Sequence, residues 1–362
     1  MSYTTTAQIN LSALQHNLAR VRNLAPESQV LAMVKANAYG HGLLPLAHAL
    51  AEADTDALGV ARIQEALQLR AAGIQKTIVL MEGFFEPWEL PIIAQHKLDI
   101  VVHQMEQVQA LVAARLTSPI RVWLKLDSGM HRLGLTPENF LAAYTALQAS
   151  KNVDDSIILT THFACSDELD NPATPKQIQL FNEMTAELPG QRSLANSAAI
   201  IMWQETHADW VRPGIMLYGI SPFADKTGIE LGLLPVMTLQ SRILSKHDYR
   251  KGEAIGYGGV FVCPETMSVG LIATGYGDGY PRHIPAEGTP VLVNGQVTQI
   301  IARVSMDMIY VDLRPVLDAK IGDRVILWGE NLPIERIARA ANTSAYELAC
   351  NVSTRVEFVY QA

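Results

Sequence analysis

The fold class this sequence predicts is α/β: an N-terminal (β/α)8 barrel of the TIM type, over residues 1–230, followed by a predominantly β domain over 231–362. Three observations predict it. Between about residues 10 and 220, short apolar runs rich in β-branched residues alternate with stretches whose apolar residues recur at i, i+3 and i+4. After residue 230 the rhythm changes to strands in close succession. Within them the pair Asn294-Gly295 sits between two apolar runs, a strong short-range hairpin signal.

In chain order the strand runs of the first part are VLAMVK, ALGVA, TIVLM, LDIVV, RVWLKL, IILTTHF, RSLAN and GIMLYG. Helical patterns such as LPLAHALAEA, RIQEALQLRAAG and EQVQALVAARL fall between them. Eight βα units fit a closed barrel, although the last three runs are weak and an open doubly wound sheet reads similarly. The second part offers VMTLQSRILS, MSVGLIAT, the long stretch from Thr289 to Leu313, DRVILWG, and a helix-like LPIERIARAANTS.

Composition narrows the function. Charged residues make up 18% of the 362, and a net charge of −8 arises without long single-sign runs, which argues against nucleic acid or an anionic membrane as partner and for a small-molecule ligand. Cys165, Cys263 and Cys350 are widely spaced and form no zinc-like cluster, so no metal is expected. The start MSYTTTAQINL lacks the features of a secretory leader, and no window approaches the roughly 18 apolar residues of a membrane span. A cytoplasmic protein is the expectation.

In a barrel, chemistry belongs at the C-terminal ends of the strands. The first strand run ends at Lys35 with Tyr39 following, the fifth contains Lys125 and exits into DSGMHRLG, the sixth reaches His162, the seventh ends at Asn196-Ser197, and the eighth is approached through Arg212. Taken singly each has a structural explanation: a snorkelling lysine, a satisfied histidine, an N-cap serine, a paired arginine. Together they converge on one mouth. A lysine amine partly desolvated among apolar residues becomes a nucleophile toward carbonyls. The SAA opening at Ser197 and the turn at PGIM offer N–H groups that could seat a phosphate. In the second part, IGYGG, ATGYGDGYPR and VSMDM are rich in glycine and tyrosine; they read as tight turns or as loops that present a phenol at a defined point.

Nine motifs in sequence order, VKANAYGHG, WLKLDSGMHRLGL, THFACSD, ANSAA, VRPGIMLYG, IGYGG, TGYGDGYPR, VSMDM and AYELACNVSTRV, give the chain a resemblance to the alanine racemase family that covers nearly its whole length. The resemblance implies pyridoxal 5′-phosphate as cofactor, alanine as substrate, D-alanine supplied for peptidoglycan or alanine catabolised, and a head-to-tail homodimer with shared sites. It makes Lys35 the Schiff-base lysine and one acid/base group. Tyr257, from the partner chain, is the other, on the opposite face. Tyr39, Ser197, the backbone of Gly214 and Ile215, and Tyr346 fall to the phosphate, and Asn196 is a further cofactor-binding residue. Arg212 meets the pyridine nitrogen with His162 behind it, and Arg132 holds the phenolic oxygen. Met306 and Asp307, also from the partner chain, receive the substrate carboxylate, Tyr276 narrows the entrance, and Lys125 matches a position carbamylated in many members.

The chemistry agrees with that assignment. Inverting a Cα centre needs a proton removed on one face and returned on the other, hence two acid/base groups. An arginine at the ring nitrogen is always protonated and accepts nothing, which weakens the electron sink and discourages transamination. One departure is that STRVEFVY lacks a proline-arginine expected after RV, which bears on the packing of the final strand. Two other readings remain beside the racemase: a decarboxylase of the same architecture, which would carry a carboxylate at the ring nitrogen, and a non-catalytic pyridoxal-phosphate carrier, which would lack the second domain.

Overall fold

The structure, a computed structural model, describes residues 5–53 and 55–362. The first four residues, part of the segment read for a leader, lie outside the described residues. The chain divides into two compact units. One comprises Asn17–Ala38 and Leu43–Leu217; the other takes in Tyr39–Gly42 and Tyr218–Ala362 together with the chain up to His16. The strand β1 (Thr6–Asn10) therefore belongs to the second unit, and the division differs from the expected boundary at 230/231. The reason is hydrogen bonding: β1 is a short alternating strand that finds its partners in the C-terminal sheet, which local pattern cannot reveal.

The first unit is a closed parallel barrel of eight strands. They are β2 (Gln29–Met33), β3 (Ala57–Val60), β4 (Thr77–Leu80), β5 (Asp99–Val102), β6 (Val122–Lys125), β7 (Ile158–Thr160), β8 (Arg192–Ser193) and β9 (Trp210–Val211). Closure comes from Gln29 and Val30 of β2 pairing with Trp210 and Val211 of β9, which removes the open-sheet alternative. Helices Leu43–Glu52, Ile63–Ala71 and Met105–Ala113 lie where the helical spacing puts them. Near the strand N-termini, Asp99 accepts from Arg121 Nε (2.6 Å) and Trp123 Nε1 (3.1 Å), and Trp123 packs edge-on against Trp210, closing the end away from the strand C-termini.

The eighth strand corrects the sequence reading. GIMLYG is not a strand: Ile215–Tyr218 is a 3₁₀ turn, and the barrel is completed earlier, by Trp210–Val211. A fully buried run reads as strand whichever backbone it adopts, and Pro213, with no N–H, ends the ladder after Arg212. The first strand also ends sooner than read, at Met33, so Lys35 lies two residues beyond it.

The second unit is built on the long strand β10 (Met237–Tyr249). It is followed by the two-residue strands β11 (Ala254–Ile255) and β12 (Phe261–Val262), then β13 (Met267–Ile272), β14 (Glu287–Val293), β15 (Gln296–Ile301), β16 (Ile309–Asp312), β17 (Arg324–Trp328) and β18 (Glu357–Gln361). The sheet runs β13-β16-β15-β14-β17-β10-β1-β18, and β10 also pairs with β13, so six strands close on themselves. Two-residue closure of β14 and β15 comes from Asn294 (φ 49°) and Gly295 (φ 79°), the backbone a type I′ hairpin requires. The final strand pairs with β1 along its whole length, Thr6 to Glu357 through Asn10 to Gln361, without the missing proline-arginine. Helices Ile334–Ala340 and Ala345–Cys350 precede it.

Candidate active site

Within the barrel unit, the polar residues read from the sequence stand at or just past the strand C-termini. Lys125 is the last residue of β6, His162 lies two residues beyond β7, Asn196 and Ser197 follow β8, and Arg212 follows β9 directly. Arg212 is only 4% exposed. Its Nη1 donates to Thr160 Oγ1 (3.1 Å) and Ser193 Oγ (2.8 Å). Its Nη2 donates to the carbonyls of Thr161 (2.6 Å) and Leu194 (3.1 Å) and to His162 Nδ1 (3.3 Å). None of these partners is a carboxylate, and among the described residues Nε makes no hydrogen bond. Burial pushes its pKa down to about 10, so it stays charged near neutrality. A buried cation without an anion is costly, and the unspent Nε–H is a donor waiting for an acceptor.

The charges here act on one another. Burial, then the Arg212, Lys125, Arg132 and Lys35 cations, hold His162 well below its ordinary value. It is neutral, and since Nδ1 accepts from Arg212 its proton sits on Nε2. Burial, then Arg212 and Arg132, push the Lys125 amine down to about 8, with Asp127 opposing and Lys35 adding a smaller push. Asp127 Oδ1 gathers the N–H groups of Gly129, Met130 and His131, shaping the loop that leads to Arg132. The result is a strongly cationic mouth, suited to anionic ligands.

An anion seat is built beside it. Asn196 Oδ1 caps the helix Ser197–Met202 by accepting from Ala199 N–H (3.1 Å), and it also accepts from Ser166 Oγ (2.9 Å). Ser197 Oγ accepts from Gly214 N–H (2.8 Å), leaving its own proton to donate. The Ser197 hydroxyl and the Gly214 N–H thus share one corner.

Lys35 is half-buried and opens an unusual turn. Ala36, Asn37, Ala38 and Tyr39 all have φ between 52° and 55°. Left-handed backbone costs a non-glycine residue roughly 1–2 kcal/mol. The turn therefore needs anchors. Glu65 Oε1 accepts from Ala36 N–H (2.7 Å), Ala38 N–H donates to Val34 O (2.9 Å), and Asn37 Oδ1 accepts from Leu43 N–H (2.8 Å).

The second unit holds the remaining residues in two groups and one isolated turn. Tyr39 stacks on Tyr218 with centroids 4.9 Å apart, and Tyr346 lies 6.2 Å from it. Burial, and next the Cys350 thiol, push the Tyr39 phenol upward, so it remains a hydrogen donor. Tyr276 and the 305–307 segment are zipped together: Tyr276 N–H donates to Ser305 O (3.0 Å) and Gly277 N–H to Met306 O (2.9 Å). Arg355 Nη2 binds Asp307 Oδ1 at 2.7 Å and its Nε lies 3.5 Å from Asp278. The Asp307 side chain is thereby committed, leaving the Met306-Asp307 backbone to meet any carboxylate. Tyr257 is 70% exposed on a glycine turn, with Gly256, Gly258 and Gly259 all at positive φ.

Sequence reasoning missed the residues that hold these groups: Thr160 and Ser193 around Arg212, Ser166 behind Asn196, Arg355 on Asp307, and Glu65 under Ala36. Only Glu65 had a local signal, as the third residue after a helix start.

A parallel barrel whose strand ends bring together amines, a buried guanidinium and a corner of hydrogen donors, in a chain with a second β unit, has the layout of a barrel enzyme with a seat for an anionic group. Comparison with known proteins is specific. Residues 9–222 match the family model for the alanine racemase N-terminal domain and residues 236–360 that for the C-terminal domain. The chain belongs to the alanine racemase family. It is 51% identical to the alanine racemase of Vibrio parahaemolyticus over 98% of both chains. Among solved structures, the biosynthetic alanine racemase of Pseudomonas aeruginosa superposes with a TM-score of 0.96 at 43% identity, covering 100% of both chains. The alanine racemase of Bartonella henselae, with covalently bound pyridoxal phosphate, matches with a TM-score of 0.89 at 28% identity, covering 99% of this chain and 100% of its own. Among the described residues no group of His, Cys, Asp and Glu could hold a metal, and no helix is long and apolar enough to cross a membrane.

Proposed function

We propose that the protein interconverts L- and D-alanine with pyridoxal 5′-phosphate, as a homodimer in which Tyr257 of one chain completes the site of the other. The observation that carries the reading is Arg212, a buried guanidinium that among the described residues has no carboxylate partner and one unspent N–H, in a cationic mouth that includes Lys35. The donor set fits the cofactor. Arg212 Nε suits a ring nitrogen, Arg132 a phenolic oxygen, and the Ser197 hydroxyl with the Gly214 and Ile215 N–H groups, the Asn196-capped helix start, Tyr39 and Tyr346 suit the phosphate. Lys35 supplies the amine that binds the cofactor aldehyde.

When bound, the cofactor delocalises the charge left on Cα by proton removal. The chain's residues do the rest. Lys35 takes or returns the Cα proton on one face and Tyr257 on the other, so that removal by one and delivery by the other inverts the centre. Arg212, charged near neutrality and without an acceptor site, holds the ring nitrogen without handing it a proton, and neutral His162 accepts from Nη2 to keep the guanidinium plane in place. The Met306-Asp307 backbone, delivered like Tyr257 from the other chain, meets the substrate carboxylate, and Tyr276 narrows the way in. The same reading makes Lys125 a carbamylated residue facing Arg132.

Chiral chromatography of purified protein incubated with L-alanine, beside Lys35→Ala, tests the proposal. D-alanine from the wild type alone is the expected result; none from either, with cofactor bound, would sink it.

A further inference from the structure

We infer that Glu65 is a positioning residue for Lys35, holding the left-handed turn that follows it; this rests on Lys35 being the cofactor lysine. Both carboxylate oxygens of Glu65 accept, and from two different segments. Oε2 takes the N–H groups of Ala61 (2.9 Å) and Arg62 (3.1 Å), at the start of the helix Ile63–Ala71. Oε1 takes the N–H of Ala36 at 2.7 Å. The first pair is an ordinary helix cap. The bond to Ala36 has no capping function, since Ala36 lies 29 positions earlier. It grips the peptide that joins Lys35 to the first of the left-handed residues, none of which is a glycine. Without that grip the turn can relax toward right-handed backbone, which rotates Lys35 away from its present direction.

Glutamine cannot replace glutamate here. Its single carbonyl oxygen can serve one of the two segments, and its NH2 then faces an N–H on the other, donor against donor. Nor does the defect concern capping alone, because strain at Ala36 can be relieved separately: glycine adopts positive φ at no steric cost. Ala36 is solvent-exposed, so its methyl is not needed for packing.

The test uses the full-length protein freed of cofactor and titrated with pyridoxal 5′-phosphate. Affinity is followed by the visible absorption of the bound cofactor, and its attachment is mapped by borohydride reduction and peptide mass. Glu65→Gln should weaken affinity about tenfold, and Glu65→Gln with Ala36→Gly should recover most of it. Wild-type affinity in Glu65→Gln overturns the inference, as does a loss that Ala36→Gly fails to rescue, which assigns Glu65 to the helix cap only. Should Glu65→Gln fail to fold, Ala36→Val, which adds a β-branch at the same φ without touching the cap, should reproduce the loss in affinity; unchanged affinity overturns the inference. Attachment of the wild-type cofactor elsewhere than Lys35 is a separate result that withdraws the underlying assignment.

Discussion

Lys125 shows how far burial among cations alters one side chain. Its amine, held near a pKa of about 8 first by burial and then by Arg212 and Arg132, is the free base in about a tenth of molecules at pH 7, far more than at the ordinary 10.5. A free amine attacks carbon dioxide, forming an N–C bond and losing a proton, and the carbamate that results is an anion placed among positive charges. Occupancy should therefore rise with pH through about 8, as the amine deprotonates, and level off above it. A carbamate resonance seen by ¹³C NMR with labelled bicarbonate, absent from Lys125→Met, is the expected result; a spectrum unchanged by the substitution would refute the assignment. The unmodified amine leaves a second trace. Its folded-state pKa lies below the ordinary 10.5, so between about 8 and 10.5 the unfolded chain binds more protons and, in carbon dioxide-free buffer, stability gains from this residue as pH rises through that window.

Among the elements, the Tyr276 turn and the Met306-Asp307 segment act as one piece. Gly275 sits so close to the partner segment that an added Cβ would lie 2.2 Å from Met306 O, nearer than any side chain tolerates. Gly275→Ala must push the two segments apart. A displacement of about 1 Å in substrate-positioning groups can cost on the order of 100-fold in rate, so kcat/KM for alanine should fall by roughly that factor while cofactor affinity in the barrel unit stays unchanged. Steady-state kinetics beside a cofactor titration reads both, and equal losses in each would contradict the argument. Elements of this kind also show what was legible beforehand. Seven barrel strands, the hairpin at Asn294-Gly295 and the helices after β2, β3 and β5 follow from periodicity and turn chemistry, which are local. The strand-end residues were legible because a barrel fixes where they gather. The eighth strand was misplaced because a buried run carries no period. The N-terminal strand, the left-handed turn at 36–39 and the bonds from Glu65, Ser193 and Arg355 depend on partners distant in sequence, which local pattern does not encode.

At the scale of the whole molecule, the proposal divides labour between units. The barrel unit carries Lys35, Arg212 and the anion seat, while Tyr257 stands 70% exposed on the second unit, on a turn of glycines at positive φ. An acid/base tyrosine that finishes a site must be delivered to it, and a two-fold symmetric dimer delivers each chain's tyrosine to the other chain's barrel. That arrangement has a consequence no single-chain site shares. Let one chain carry Lys35→Ala and another Tyr257→Phe, each homodimer being inactive. In a mixed dimer one composite site receives both substitutions and the other receives neither. Random re-association of equal amounts makes about half the dimers mixed, each with one intact site of two, so activity should return to about a quarter of the wild-type value. If Lys35 and Tyr257 of the same chain worked together, every site in the mixture would carry one defect and no activity would appear. Dissociation, mixing and assay of the two variants, with each variant carried alone through the same cycle, decides between these arrangements.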